Sequence, residues 1–220
     1  MLKKSEKLEK LSDNLVVLQH PDGYCFTSDA IELANFVKIK KAKVVVDLCS
    51  GSGVIGLMLH KKLNASKTYL VEIQERLAQM SKRSVALNNL NDEVEVINKP
   101  LQNVSELIGK GVCDIVVCNP PYKKKSSSLL SVNEEIAIAK HEVTVTLKEI
   151  IEECEQLLKY SGKLYIINKE ERLAEMIFIM KQHSIEPKIL KIRKAKGLNV
   201  VLIEGVRGGK SGMKIELNEF

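Results

Sequence analysis

The sequence predicts an α/β fold: a seven-stranded sheet with helices on both faces, its last strands antiparallel, and a short N-terminal hairpin ahead of it. Three observations carry this expectation. Val44-Val45-Val46-Asp47-Leu48 is a β-branched run with an acid near its end, followed by Cys49-Ser50-Gly51-Ser52-Gly53 and an amphipathic stretch, Val54 to Lys62. Thr68-Tyr69-Leu70-Val71 repeats the strand pattern and also ends in an acid, Glu72. Cys113 to Cys118 reads as a strand buried on both faces, and it leads directly into Asn119-Pro120-Pro121-Tyr122. Strands alternating with helical stretches of this kind build βαβ units and a parallel sheet.

The whole chain sets the bounds. Its 220 residues, 45% of them hydrophobic, suffice for one domain with a sizeable core. The expected layout is one domain over 1–220, with an arm, hairpin and helix in 1–43 and a Rossmann-like core in 44–220. No run approaches the ~20 apolar residues of a membrane span. The start, Met1-Leu2-Lys3-Lys4-Ser5-Glu6-Lys7, is charged where a signal peptide has an apolar core. A cytoplasmic chain without membrane contact is therefore expected. The five cysteines form no C-x-x-C pair and have no His at metal spacing, which implies buried thiols in a reducing compartment and no metal. A net charge of +6 suits a polyanionic partner, although solvated surfaces also carry such an excess.

In order along the chain, residues 1–12 alternate Lys, Glu and Leu and read as a short solvated arm or helix. Leu15 to His20 reads as a strand turned at Pro21-Asp22-Gly23, with Tyr24-Cys25-Phe26 returning as a hairpin. Thr27 or Ser28 can cap the helix that follows, with Asp29 just inside its first turn. Gln74 to Asn89 has helical spacing, with Leu77, Met80, Val85 and Leu87 mostly on one side, and Val94 to Leu101 holds the next strand. A long helix is expected from His141 to about Tyr160, ended by Ser161-Gly162. A fifth strand follows at Lys163–Ile167, then a helix from Arg172 to His183. Lys188–Arg193 and Val200–Gly205 close the sheet as an antiparallel pair.

The glycine loop indicates a nucleotide-type cofactor. Gly51 and Gly53 permit a sharp turn and a close ligand approach, and Gly56 lets the helix lie against its own strand. A pyrophosphate at a helix N-terminus would be opposed by a carboxylate such as Asp47, whereas a cationic amino acid group would be drawn to it. Glu72 stands where an acid accepts from two ribose hydroxyls.

Asn119-Pro120-Pro121-Tyr122 adds the second half of the chemistry. It falls at the carboxyl edge of the sheet, where α/β proteins bind ligands. Two consecutive prolines stiffen the loop. The Asn119 side-chain oxygen and the Pro120 carbonyl can both accept from an NH2 group, and Tyr122 can stack on a planar ring. Those groups suit transfer to an exocyclic amine, in which catalysis consists of positioning and stabilising positive charge on nitrogen.

With these residues in place, D-x-x-x-G-x-G from Asp47 to Gly53 resembles motif I of the class I S-adenosylmethionine-dependent methyltransferases, and N-P-P-Y resembles the amino-methylating branch. Asp22 to Ala30, Asp47 to Gly56, Glu72, Asn119 to Tyr122 and Ala139-Lys140-His141-Glu142 together resemble the bacterial tRNA(Val) adenine-37 N6-methyltransferase family. The resemblance implies S-adenosylmethionine as cofactor and a tRNA anticodon-loop adenine as substrate, in a chain read as a monomer. It implies Asn119, Pro120 and Tyr122 in catalysis. For the cofactor it implies Phe26, Ser28, Asp47, Gly51, Gly53, Glu72, Ile73 and Asn119. Where relatives carry an acid for the adenine amine, this chain has Lys99-Pro100, so Asn98 or the Leu101 backbone carbonyl is the expected substitute. RNA contacts are expected from Lys123, Lys124 and Lys125, from His141, and from Arg193, Lys194 and Lys196. The alternatives are an N-methyltransferase acting on rRNA or on a protein glutamine amide, and a non-catalytic nucleic-acid-binding module. The short stretch before Val44 disfavours the glutamine reading, whose enzymes carry an extra N-terminal helical domain; the intact motifs disfavour the non-catalytic one.

Overall fold

A computed structural model describes residues 6–12, 14–20, 25–120, 145–194 and 199–217. Its centre is the apolar run read from the sequence: β3 (Val44–Leu48), between β4 (Lys67–Val71) on one side and β6 (Cys113–Cys118) on the other, both parallel to it. β5 (Val94–Ile97) extends the sheet beyond β4, and β7 (Leu158–Lys169) extends it beyond β6. β9 (Val200–Arg207) is antiparallel to both β7 and β8 (Ile185–Arg193), between which it lies. The expected seven strands are all present, and an eighth, β10 (Lys214–Leu217), joins the edge parallel to β8, giving the order β10-β8-β9-β7-β6-β3-β4-β5.

The helices cover both faces: α1 (Ser28–Phe36), α2 (Val54–Leu63), α3 (Glu75–Leu87), the single turn α4 (Ser105–Ile108), α5 (Leu147–Leu157) and α6 (Leu173–Gln182), the last preceded by a 3-10 turn at Glu170–Arg172. Alternation along the strands divides the core. Val45, Ile115, Val117, Tyr165 and Ile167 pack with residues of α1 and α2, while Val46, Leu48, Val116, Leu164 and Ile166 pack with residues of α5 and α6. Thr146 starts α5 with a capping box: its hydroxyl accepts from Glu149 N, and its own N donates to Glu149 Oε2 at 2.7 Å.

Several local expectations are corrected. The hairpin pairs Leu15–Gln19 (β2) with the preceding segment, Lys7–Ser12 (β1). The stretch read as an arm or helix is thus a strand, exposed along most of its length; Leu8 and Leu11 stand three apart, a helical spacing, and pairing with β2 overrides that local pattern. Residues 21–24 lie outside the described residues, and Cys25–Thr27 have no regular structure. Thr27 takes the N-cap position of α1 without a side-chain cap bond. Leu87 is 50% exposed, apart from the buried Leu77, Met80 and Val85. Cys25 and Cys49 are half-buried, unlike the buried Cys113, Cys118 and Cys154. The helix expected from His141 to Tyr160 is described from Leu147 and ends at Leu157, because Leu158–Tyr160 already pair into β7. Ser161 (φ 62) and Gly162 form an irregularity inside that strand, where a Cβ on Gly162 would lie 2.9 Å from the Cys113 carbonyl oxygen.

The hairpin is fixed to α3 by polar side chains of that helix and of its C-cap, Asn88. Leu18 N donates to Ser84 Oγ at 2.9 Å, and Asn88 both accepts from Val16 N and donates to Val16 O. Gln19 Nε2 then donates to Ser52 Oγ at 3.3 Å, which brings the hairpin to the glycine loop. Among the described residues no helix is long and apolar enough to cross a membrane.

Candidate active site

The site is built where β3, β4 and β6 end together. Leu48 opposes Val71 on one side and Cys118 on the other, so the glycine loop, Glu72 and Asn119 leave the sheet at the same level. The loop has a demanding backbone: Cys49, Gly51 and Gly53 have φ of 59, 56 and 83°, and Gly53 caps α2 from the left-handed region. Ser50 N donates to Val71 O at 3.0 Å, and Ser81 Oγ donates to Gly51 O at 2.9 Å.

Asp47 is fully buried, behind the loop. Its Oδ2 accepts from Gly56 N at 2.8 Å, and its Oδ1 has no hydrogen-bond partner. Burial, against the lowering effect of the Gly56 bond and with the raising effect of Glu72 nearby, pushes its carboxyl up to about 8. The fold therefore binds this proton more tightly than the unfolded chain does, so Asp47 makes stability fall as pH rises from about 4 to about 8. Asp47→Asn is expected to flatten that decline in thermal melts across the same range. An unchanged pH profile would place the titration elsewhere. Ser50 Oγ is a second buried atom without a partner in the same loop.

Glu72 is 5% exposed and ties the two loops together: Oε2 accepts from Gly51 N and Oε1 from Gln74 N, both at 2.8 Å. Asn98 Nδ2 donates to Glu72 O at 2.8 Å and Ile73 O at 3.1 Å, which leaves its acceptor oxygen outside these bonds. Ile73 is exposed beside Glu72, and Leu101 is buried in the core on the α5 side. Asn119 is half-buried and Pro120 buried at the end of β6. Phe26 is half-buried against the α1–α2 core, and Ser28 is exposed at the start of α1.

The structure thus brings Asp47, Gly51, Gly53, Glu72, Ile73, Asn98 and Asn119 to one edge of the sheet. Arg193, one of the residues expected at the RNA, ends β8. It pairs with Asp29 and with Glu32, while Lys191 also reaches Glu32, so this cation fastens β8 to α1. Lys194 is exposed at the end of β8. Tyr122, Lys123, Lys124, Lys125, His141 and Lys196 lie outside the described residues. Sequence reading missed Ser50, Ser81 and Gln19. The first was visible inside the motif, whereas the other two become part of the site only through the contact of α3 and the hairpin with the loop.

The residues fit a nucleoside cofactor with a cationic amino acid end. The unpartnered Asp47 Oδ1 and Ser50 Oγ supply buried polar capacity, a cation beside Asp47 would draw its raised carboxyl back to the charged form, and the left-handed glycines keep side chains out of the loop. Glu72 sets a carboxylate, an acceptor for hydroxyls, at the same edge. A Cβ on Gly53 would meet Leu70 Cδ1 at 2.9 Å, so this turn has no room for another residue.

Comparison with known proteins agrees with this geometry. The tRNA1(Val) (adenine(37)-N6)-methyltransferase of Porphyromonas gingivalis ATCC 33277 is 28% identical over 133 residues, 60% of this chain and 51% of that protein. The chain therefore spans about half the length of that relative. The protein of the same name from Aeromonas hydrophila is 25% identical over 185 residues, covering 82% of this chain and 76% of the relative. Among solved structures, M. jannaschii TYW2 in complex with AdoMet superimposes with a TM-score of 0.65 at 18% identity, covering 94% of this chain and 87% of that one. Geranyl diphosphate C-methyltransferase from Streptomyces coelicolor gives 0.60 at 14% identity, covering 82% and 78%. At such identities the structural likeness concerns the fold alone. The methyltransferase small domain family matches residues 29–193, a span that holds the glycine loop, Glu72 and Asn119, and the chain belongs to that family.

Proposed function

We propose that this chain transfers the methyl group of S-adenosylmethionine to the exocyclic N6 amine of an adenine in tRNA, at position 37 of the anticodon loop. The observation that carries the reading is the exit of the glycine loop and of Asn119-Pro120 from adjacent parallel strands at one register level, Leu48 opposite Cys118. A cofactor held over the loop then lies beside the amine acceptors. The names of the Porphyromonas and Aeromonas relatives support the choice of substrate.

In this reading Asp47 and Ser50 face the amino acid end of the cofactor, Glu72 the ribose, and Ile73 and Asn98 the adenine. The cofactor supplies an electrophilic methyl group on sulfonium. The chain's own part is to align the target nitrogen in line with that methyl and to accept hydrogen bonds from the amine as it becomes cationic. The Asn119 side-chain oxygen and the Pro120 carbonyl are the acceptors, and Tyr122 replaces the stacking lost when the base leaves its neighbours. A single-stranded loop gives up that stacking at low cost, which favours an RNA loop over a duplex. Cytoplasmic residence and a monomeric state belong to the same reading.

The test is transfer of labelled methyl from the cofactor to unmodified tRNA, followed by nucleoside digestion. Label on N6-methyladenosine is expected. Label on guanine or cytosine, or only on added protein, would refute the adenine assignment.

A further inference from the structure

The net charge of the chain is concentrated in one stretch. Between Glu32 and Glu72 stand seven lysines, Lys38, Lys40, Lys41, Lys43, Lys61, Lys62 and Lys67, and one acid, the buried Asp47. Elsewhere 27 Lys and Arg balance 27 Asp and Glu, so this stretch holds the whole +6.

The fold gathers these lysines at the amino edge of the sheet, the edge opposite the glycine loop. Lys38, Lys40, Lys41 and Lys43 follow α1, Lys61 and Lys62 lie in the last turn of α2, and Lys67 begins β4. Ser66 N and Lys67 N both donate to Lys43 O at 2.9 Å, and Val44 opposes Lys67. Lys62 Nζ donates to Ala34 O at 2.8 Å and to Val37 O at 2.7 Å, which sets it at the end of α1. Burial, and then the charge of the adjacent Lys38, lower the Lys62 amine from its ordinary range. Lys67 pairs with Glu95 at 3.4 Å; of the other acids at this edge, Glu93 meets His60 and Asp114 meets Lys159. Among the described residues Lys38, Lys40, Lys41, Lys43 and Lys61 are exposed and form no ion pair. Ordinary soluble surfaces intersperse the two signs. Here five exposed cations repel one another, and a polyanion laid across them relieves that repulsion.

The patch is continuous with the carboxyl edge. β3 crosses the sheet between the two edges in five residues, ~17 Å. Along α1 a groove of about 530 Å³ runs from Ser28 and Arg193, at the carboxyl edge, to Lys38, with Lys191 in its wall. Its acids are Glu216 and Glu32, and Glu32 is already paired with Lys191 and Arg193.

We propose that Lys38, Lys40, Lys41, Lys43 and Lys61 form a second docking surface for the RNA substrate, holding the phosphate backbone of the base-paired arm that leads to the methylated loop. This rests on the reading of the substrate as tRNA. Exposed Lys ammonium groups meet phosphates as point charges, which fixes the position of an arm without reading its sequence. The loop adenine enters the carboxyl edge while the arm lies along the α1–α2 face.

The test measures binding of unmodified tRNA to the full chain by fluorescence anisotropy between about 50 and 200 mM salt. Wild type is compared with the triple variant K40Q/K41Q/K61Q and with a control, K82Q/K181Q/K210Q, whose lysines are exposed on α3, on α6 and after β9. The patch variant is expected to bind about tenfold more weakly at about 100 mM salt, with the slope of log affinity against log salt shallower by about 2. Its Tm and cofactor affinity should stay at wild type. The control has the same net charge and should keep the wild-type slope. An RNA with the loop sequence but without its paired arm should bind wild type and patch variant alike. An unchanged slope in the patch variant, an equal change in the control, or an equal loss on the arm-free RNA overturns the inference. So does weakened binding to vesicles of anionic lipid with tRNA binding intact, which assigns the lysines to a membrane surface. A wild type that labels no tRNA overturns the reaction reading, whereas the salt slopes judge the lysines independently of methyl transfer.

Discussion

Asn119→Ala is expected to lower turnover on the order of 10²-fold or more while barely changing affinity for S-adenosylmethionine. Asn119 follows β6 directly, half-buried and ahead of the buried Pro120, so its side chain is set by the end of a rigid strand. In the proposed reaction the amine that Asn119 accepts from is nearly neutral in the ground state and carries growing positive charge as the methyl arrives. Its hydrogen bond therefore strengthens toward the transition state, and removing it acts on kcat more than on binding. Single-turnover methyl transfer alongside calorimetric titration of the cofactor separates the two quantities. Wild-type turnover in the variant would remove Asn119 from the chemistry while leaving the glycine loop unaffected.

Gly56→Ala is expected to destabilise the protein by about 1–3 kcal/mol and to weaken cofactor binding with it. An added Cβ would sit 2.1 Å from Leu70 Cδ2 and 3.1 Å from Asp47 Cβ, with Asp47 Oδ2 at 3.2 Å. Leu70 is fully buried near the end of β4, so displacing its side chain disturbs the core around it. The relief open to the chain is to lift α2 from β3, which lengthens the 2.8 Å bond from Gly56 N to Asp47 and disturbs the loop between them. Gly56 lies inside α2, where alanine would otherwise favour the helix, so the sign of the change reports sterics alone. A melting temperature at or above wild type would show that the helix and strand can separate freely.

The sheet was legible because its strands carry their own signals. β3, β4 and β6 are short apolar runs ending at an acid or an asparagine, and the loops that follow them hold the glycines and prolines whose backbone preferences are local. The family resemblance added the cofactor and substrate expectations to that reading. Local pattern also gave Glu72 its place, since an acid that ends the second strand of a βαβ unit reaches the same edge as the glycine loop.

What only the tertiary structure decided involves pairs distant in sequence. The strand partner of Leu15–Gln19 is the segment before it, and polar side chains of α3 hold that hairpin through bonds that no local pattern encodes. The ion pairs of Arg193 with Asp29 and Glu32 of α1 join residues more than 150 positions apart. The raised carboxyl of Asp47 and the unpartnered amide nitrogen of Asn168, near the end of β7, arise from burial, which depends on every neighbouring element at once. Residue type and spacing determine which backbone conformations a segment prefers. Whether a polar atom at the end of a strand finds a partner is settled only when the other strands and helices close around it.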